Sequence, residues 1–141
     1  MDSDPATSDQ IDSTVPCVLI VSQDFMSRWQ AADYLRERGY NVVEATGVSD
    51  ATSLLASGMH VDIVFSDFHS TGAADGRLLA EWLESNHPVI LHLLTSSAGL
   101  VPENFPSGPT RRYIDKPYEL GDVARHLELL MKGRMLHRPI R

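Results

Sequence analysis

Residues 61–76 read VDIVFSDFHSTGAADG and hold the transition that decides the fold. An apolar run stops at Asp67, and the chain passes directly into a loop rich in glycine, serine and threonine. This pattern is typical of a buried strand that carries one carboxylate to the edge of a sheet. Because ligands of open α/β sheets bind outside the carboxyl ends of the strands, Asp67 is a candidate reacting group. In isolation, capping of the loop or of the following helix would be the simpler role for this aspartate.

Length and composition describe one ordinary globular domain. The chain has 141 residues, of which 43% are hydrophobic and 22% are charged. No apolar run is long enough to cross a bilayer, and the acidic N-terminus lacks the features of a secretory signal. The single cysteine, Cys17, excludes an internal disulfide and favours the reducing cytoplasm. The net charge of -7 argues against nonspecific nucleic-acid binding.

Apolar periodicity divides the chain into alternating strands and helices. Short apolar runs predict five strands, at residues 17–21, 41–44, 61–67, 89–94 and 112–115. Amphipathic patterns predict helices at residues 25–38, 49–56, 76–84 and 119–132. Gly39, Gly58 and Gly133 follow three of these helices and are expected to end them. Trp29 and Trp82 recur at helical spacing with other apolar residues, which places both in the predicted core. Leu78, Leu79 and Leu83 lie on the same predicted apolar side as Trp82.

The remaining segments are expected to contain little regular structure. Residues 98–110 contain three prolines and two glycines, so the fourth helical segment is expected to be shortened to one turn at best. Residues 1–15 are rich in Asp, Ser and Thr and predict a disordered tail. Residues 133–141 form a short basic tail, which leaves one domain at residues 16–132.

Five strands alternating with helices predict a parallel sheet with helices on both faces. A flavodoxin-like (βα)5 fold with strand order 2-1-3-4-5 is the simplest arrangement. This order would bring the ends of strands one, three, four and five to one crevice. The polar residues at those ends are Ser22, Gln23, Asp24, Asp67, Thr95 and Lys116.

The ordered motifs resemble the receiver domain of response regulators in two-component signalling, over about residues 17–132. They are Asp67, Asp75-Gly76, Thr95-Ser96 and the segment from Tyr113 to Pro117. The extra residue between Asp67 and Asp75, the proline-broken segment and the Lys-Pro-Tyr sequence are most similar to CheY-like single-domain receivers of alphaproteobacteria.

The resemblance implies that Asp67 accepts a phosphoryl group from a histidine kinase, a phosphotransfer protein or a small phosphodonor. Lys116 would neutralise charge on the phosphoryl oxygens, and the Thr95 hydroxyl would sense the modification. Tyr113 would turn inward when Thr95 moves, although the strand preference of aromatic residues explains this tyrosine equally well. The Lys116–Pro117 bond is a candidate cis peptide.

The end of strand one departs from the family pattern. Ser22 and Gln23 stand where receivers usually carry two acids, and Asp24 follows one place later. Because Mg²⁺ prefers carboxylates in a near-octahedral shell, the neutral Gln23 predicts weak binding. We expect a weak Mg²⁺ site made by Asp67, the backbone carbonyl of His69 and waters, with Asp24 helping directly or through water.

Several functions stay open at this point. The first is a phosphorylatable signalling module, not an enzyme, that switches binding to a downstream protein. The second is a pseudo-receiver with an impaired metal site, which binds partners independently of phosphorylation. An aspartyl phosphatase is a third, because residues 67–71 loosely match Asp-x-Asp-x-Thr, but His69 replaces the second acid. A nucleotide-binding relative would need a glycine-rich loop after strand one, which the sequence lacks.

Overall fold

A five-stranded parallel sheet forms the centre of the computed structural model, which describes residues 15–68, 73–96 and 109–136. The strands are β1 (Cys17–Ser22), β2 (Asn41–Ala45), β3 (Ile63–Asp67), β4 (Leu91–Ser96) and β5 (Arg111–Asp115). The described helices are α1 (Phe25–Glu37), α2 (Val48–Ala56), α3 (Ala73–Asn86) and α4 (Leu120–Leu136). The strand order is β2-β1-β3-β4-β5, which confirms the predicted flavodoxin-like order 2-1-3-4-5.

The central strands β1, β3 and β4 are buried on both faces, which explains why they are mostly apolar, whereas the edge strands β2 and β5 are partly exposed and contain charged residues. Val18 and Ile20 of β1 point into a cluster that includes buried residues of α1 and α4. Leu19 and Val21 point the other way, into a cluster that includes buried residues of α2 and α3. One strand therefore supplies two cores, because successive side chains alternate across the sheet.

The parallel register aligns the carboxyl ends of the strands. Ser22 of β1 pairs with Asp67 of β3, and Asp67 pairs with Thr95 of β4. Thr95 in turn pairs with Ile114 of β5, two residues before Lys116. The predicted reacting group and its predicted neighbours thus lie along one edge of the sheet.

The structure corrects three expectations about which apolar residues are buried. Trp29 was expected in the core, but 49% of it is exposed, and Ala31, Ala32 and Leu35 form the buried face of α1. The small alanines let this helix pack closely on the sheet, and the aromatic ring is left outside. Val89 was expected in the fourth strand, but it is 72% exposed and β4 begins at Leu91. On α3, Leu79 and Leu83 are buried while Leu78, the third exception, is exposed.

Two of the three predicted helix stops are confirmed. Gly39 and Gly58 have φ angles of 99° and 93°, in the left-handed region that glycine adopts without strain. The stop at Gly133 was wrong, because α4 continues to Leu136. Arg134 donates a hydrogen bond of 2.9 Å to Oδ1 of Asp62, just before β3. This tertiary contact stabilises a last helical turn that sequence propensity alone does not favour.

Three earlier expectations concern segments outside the described residues. These are the tail at residues 1–14, the shortened fourth helix within residues 97–108 and the end of the chain from residue 137. Within the described ranges, no helix is both long and apolar enough to span a membrane.

Candidate functional site

Asp67 is the last residue of β3 and is 5% exposed. Its two carboxylate oxygens have different partners. Nζ of Lys116 lies 2.6 Å from Oδ1. The hydroxyl of Tyr118 donates a hydrogen bond of 2.9 Å to Oδ2. A buried carboxylate needs such partners, because desolvation of an unpaired charge is costly.

Lys116 reaches this carboxylate from the segment that follows β5. The Lys116–Pro117 peptide bond is cis, as predicted. The lysine side chain is partly exposed, and its ammonium carries three donors on a flexible stem. It can therefore contact Asp67 and a further anionic oxygen at the same time.

Thr95 lies directly beside Asp67 in the neighbouring strand. It is fully buried, and its Oγ1 has no hydrogen-bond partner among the residues that the structure describes. The backbone of Thr95 is engaged, since its carbonyl accepts the N–H of Phe68 at 3.1 Å. A buried hydroxyl without a partner is energetically unfavourable, so a newly placed acceptor would be bound readily.

Tyr113 lies further along the site, on β5 opposite Leu94. Its hydroxyl is buried, and the ring packs against the core cluster beneath α2 and α3. Burial, and then the neighbouring Asp115, raise the pKa of Tyr113 to about 12. The side chain is half-buried and lies next to the strand that carries Thr95.

Tyr118 is the site residue that sequence reasoning missed. Its ring packs edge-on against Phe65, with centroids 6.1 Å apart, and its hydroxyl contacts Asp67. Burial, followed by the charge of Asp67, raises the pKa of this phenol far above its usual value. The available signal was a tyrosine immediately after Lys116-Pro117, but an aromatic residue at this place is explained equally well by packing.

A cleft of about 470 Å³ lies next to the carboxylate. Its lining residues are Ser27, Gln30, Asp67, Lys116, Pro117, Tyr118 and Leu120. The same end of α1 also exposes Phe25, Met26 and Trp29, three large apolar side chains that we call the α1 patch. The Asp67 carboxylate is therefore reached from a cleft close to an exposed apolar surface on α1.

The residues at the end of β1 fit a magnesium ion poorly. Asp24 caps α1, where its Oδ2 accepts hydrogen bonds from the backbone N–H and the hydroxyl of Ser27 at 2.9 and 2.5 Å. Gln23 is exposed, and His69 lies outside the described residues. The part of the chain that the structure describes contains no group of three His, Cys, Asp or Glu residues able to hold a metal. Asp67 thus lacks the clustered carboxylates that favour Mg²⁺.

His92 is a buried structural residue in this arrangement. Its Nε2 lies 2.7 Å from Oγ of Ser66, the residue before Asp67. Burial, and then the charge of Arg111, lower the pKa of His92 to about 3. The imidazole is therefore neutral at physiological pH and links β4 to β3.

Comparisons with known proteins identify the fold. No family model matches the sequence, and no curated protein matches it significantly. The structure is similar to the signal receiver domain of an HD domain-containing protein from Pseudomonas fluorescens Pf-5, with a TM-score of 0.75 and 22% identity, covering 87% of this chain and 99% of that one. A response regulator receiver protein from Sinorhizobium medicae WSM419 gives a TM-score of 0.73 at 18% identity, covering 86% of this chain and 99% of that one.

A third similar structure is the receiver domain from the hybrid histidine kinase CckA. Its TM-score is 0.66 at 22% identity, and the alignment covers 82% of this chain and 98% of that one. In all three cases nearly the whole length of the relative is matched. The chain therefore has the fold of a CheY-like response-regulator receiver domain.

Proposed function

We propose that this protein is a receiver that accepts a phosphoryl group on Asp67 and then changes its affinity for a downstream protein. The observation that carries the proposal is the surroundings of the carboxylate. Asp67 is buried at the sheet edge beside a cleft, Lys116 lies 2.6 Å from Oδ1, and the hydroxyl of Thr95 is buried without a partner among the described residues. Together these groups provide a nucleophile, a fixed positive charge and a donor for a new anion.

Phosphoryl transfer to Asp67 exchanges one bond at phosphorus for another. A carboxylate oxygen of Asp67 forms a bond to phosphorus as the bond from phosphorus to the donor's imidazole nitrogen breaks, and the leaving imidazole takes up a proton. Lys116 offsets charge on the phosphoryl oxygens. The Thr95 hydroxyl then donates a hydrogen bond to one of those phosphoryl oxygens. In the unphosphorylated protein the Asp67 carboxylate does not accept a hydrogen bond from this hydroxyl. Tyr113, packed on the adjacent strand, would respond to the movement of Thr95.

The phosphodonor is proposed to be a histidine kinase or a phosphotransfer protein. The α1 patch supports this choice, because a protein donor must cover the cleft, and Phe25, Met26 and Trp29 offer apolar contact area beside it. The net charge of -7 does not favour a nucleic-acid partner. The cytoplasm is the proposed compartment, since Cys17 is a buried free thiol.

Mg²⁺ is proposed to bind only weakly at this site. Asp67 already has a partner on each oxygen, and Asp24 would have to give up its capping bonds to reach a metal. In a magnesium titration followed by the backbone resonance of Asp67, the midpoint should fall in the millimolar range. A micromolar midpoint would contradict the weak-site proposal.

Intact-mass measurement tests the function directly. The protein is incubated with phosphoramidate or acetyl phosphate, with and without Mg²⁺, beside the Asp67→Asn variant. One added phosphoryl group is expected in the wild type and none in the variant. Asp33→Asn is the matched control, because it removes an exposed carboxylate of α1 and should keep the adduct.

A pseudo-receiver is the second candidate, favoured by Ser22 and Gln23 at the usual acid positions. It predicts no adduct with small donors or with any histidine kinase, and partner binding that is unchanged in Asp67→Asn. Release of phosphate from many small esters would instead indicate an aspartyl phosphatase. The absence of any adduct would overturn the phosphoacceptor role of Asp67, whereas ester hydrolysis would keep Asp67 as the nucleophile and overturn the signalling role.

A further inference from the structure

We propose that the Tyr118 hydroxyl is a latch on Asp67, which stabilises the unphosphorylated carboxylate and slows phosphoryl transfer to it. This inference rests on the proposed function of Asp67 as the phosphoacceptor. Tyr118 acts through the carboxylate and is therefore a positioning residue, not a catalytic one.

The contact that defines the latch is direct and well supported by packing. The Tyr118 hydroxyl donates to Oδ2 of Asp67 at 2.9 Å. The ring is held edge-on against Phe65, a fully buried residue two positions before Asp67 on the same strand. The Tyr118 ring packs on the same strand that carries the carboxylate. Because this packing already restricts the ring, the hydrogen bond to Oδ2 costs little additional side-chain entropy.

The ion-pair partner Lys116 and the hydrogen-bond donor Tyr118 have different capacities at Asp67. The ammonium of Lys116 has three hydrogens, so it can contact the carboxylate before phosphorylation and the phosphoryl oxygens afterwards. The phenol of Tyr118 has one hydrogen, and that hydrogen is donated to Oδ2. Phosphorylation removes most of the negative charge from both carboxyl oxygens, whichever of them attacks, so the phenol loses a charged acceptor.

The hydrogen bond is therefore stronger in the starting state than in the acyl phosphate. A group that binds the ground state better than the transition state raises the barrier of the reaction. Removing the hydroxyl alone should release the nucleophile without disturbing the ring.

Tyr118→Phe is the variant that tests the latch. It keeps the packing on Phe65 and deletes only the donor. Phosphorylation by phosphoramidate, followed by intact mass over time, should be roughly fivefold to thirtyfold faster than in the wild type, as expected for a hydrogen bond to a charged group. Tyr40→Phe is the matched control, since Tyr40 is half-buried and lies just before β2, at the opposite edge of the sheet. Its rate should equal that of the wild type.

The wild-type protein offers a second measurement that does not depend on how a variant folds. With ring-labelled tyrosine, the Cζ signal of Tyr118 should shift when Asp67 is phosphorylated, and by more than that of Tyr40. A signal that does not move overturns the latch.

The outcomes separate this inference from the proposed function. Adduct formation at equal or lower rate in Tyr118→Phe overturns the latch and leaves the phosphoacceptor role intact. An adduct that forms faster in the variant, or only in the variant, supports the latch. Failure of both proteins to form any adduct overturns the phosphoacceptor role and the latch with it.

Discussion

At the scale of single residues, the molecule keeps polar groups inside a hydrophobic sheet. Ser66 and His92 satisfy each other across two strands, whereas Thr95 beside them has a hydroxyl without a partner among the described residues. Buried polar groups are usually paired, so the Thr95 hydroxyl is available to a new acceptor. Asp67 has partners on both carboxylate oxygens, but a phosphoryl group on Asp67 would displace them.

Thr95→Val should leave the unphosphorylated protein as stable as the wild type or about 1 kcal/mol more stable. The substitution keeps the shape of the side chain and removes a hydroxyl that makes no described hydrogen bond. Urea unfolding measures this difference, with Thr52→Val on the surface of α2 as the control. A loss of stability by several kcal/mol would show that the hydroxyl has a structural partner.

Acid should destabilise the protein through His92. Its pKa in the folded protein is about 3, below the value of 6.5 for a free imidazole, so below pH 6.5 the unfolded chain binds a proton that the native one does not. Stability should fall as pH drops from about 6.5 towards 3, by about 2 kcal/mol between pH 7 and pH 5 from this group alone. The lowered pKa of His126, caused by burial and then by Arg112, acts in the same direction.

Urea unfolding at several pH values checks this dependence. His92→Gln retains a group that can bond to Ser66 and should show a flatter pH profile than the wild type. Equal slopes in the two proteins would contradict a neutral buried imidazole.

At the scale of elements, the positions where helices end depend on glycine conformation and on tertiary contacts, which apolar periodicity does not report. Gly39 and Gly58 end their helices as predicted, because left-handed backbone at those positions is a local property of glycine. Gly133 does not end α4, because Arg134 gains an ion pair with Asp62 from another part of the chain. Asp62 also accepts the backbone N–H of Cys17, so β1, β3 and α4 meet at this carboxylate.

Arg134→Gln should therefore shorten α4 by a few residues and cost about 1 kcal/mol of unfolding free energy. Hydrogen exchange of the amides at residues 131–136 reports the fraying, and urea unfolding reports the stability. Arg125→Gln is the matched control, because its pair with Asp122 is largely exposed and should contribute little. Equal protection of these amides in wild type and Arg134→Gln would contradict the role of the ion pair.

At the scale of the whole molecule, the sequence predicted the sheet and its edge but not every surface. Apolar runs ending in polar residues mark the central strands β1, β3 and β4, and the strand order then places Asp67, Thr95 and Lys116 together. Helical spacing does not predict that Trp29 is exposed. The face of α1 that carries Ala31 and Ala32 packs on the sheet instead, because small side chains allow a closer approach than the indole ring. Tyr118 was missed because its role depends on an approach to Asp67 across 51 residues of chain.

The α1 patch should matter for protein donors and not for small ones. Trp29→Ser removes half-exposed apolar area without opening the core, so stability should change by less than about 1 kcal/mol. Phosphorylation by a histidine kinase that labels the wild type should slow by about tenfold or more, while phosphorylation by phosphoramidate stays the same. Leu78→Ser, an exposed apolar site on α3, is the control. Equal slowing with both donors would place Trp29 in the chemistry instead.

The ion pair between Arg134 and Asp62 has a mechanical consequence for α4. This helix begins at Leu120, which lines the cleft beside Asp67, and its last turn is fastened at the opposite edge of the sheet. Its 17 residues form a rod about 25 Å long. Because Val123, Ala124 and Leu127 of α4 are buried in the core and the ion pair holds its last turn, a displacement produced near Asp67 would be confined to the first turn of the helix.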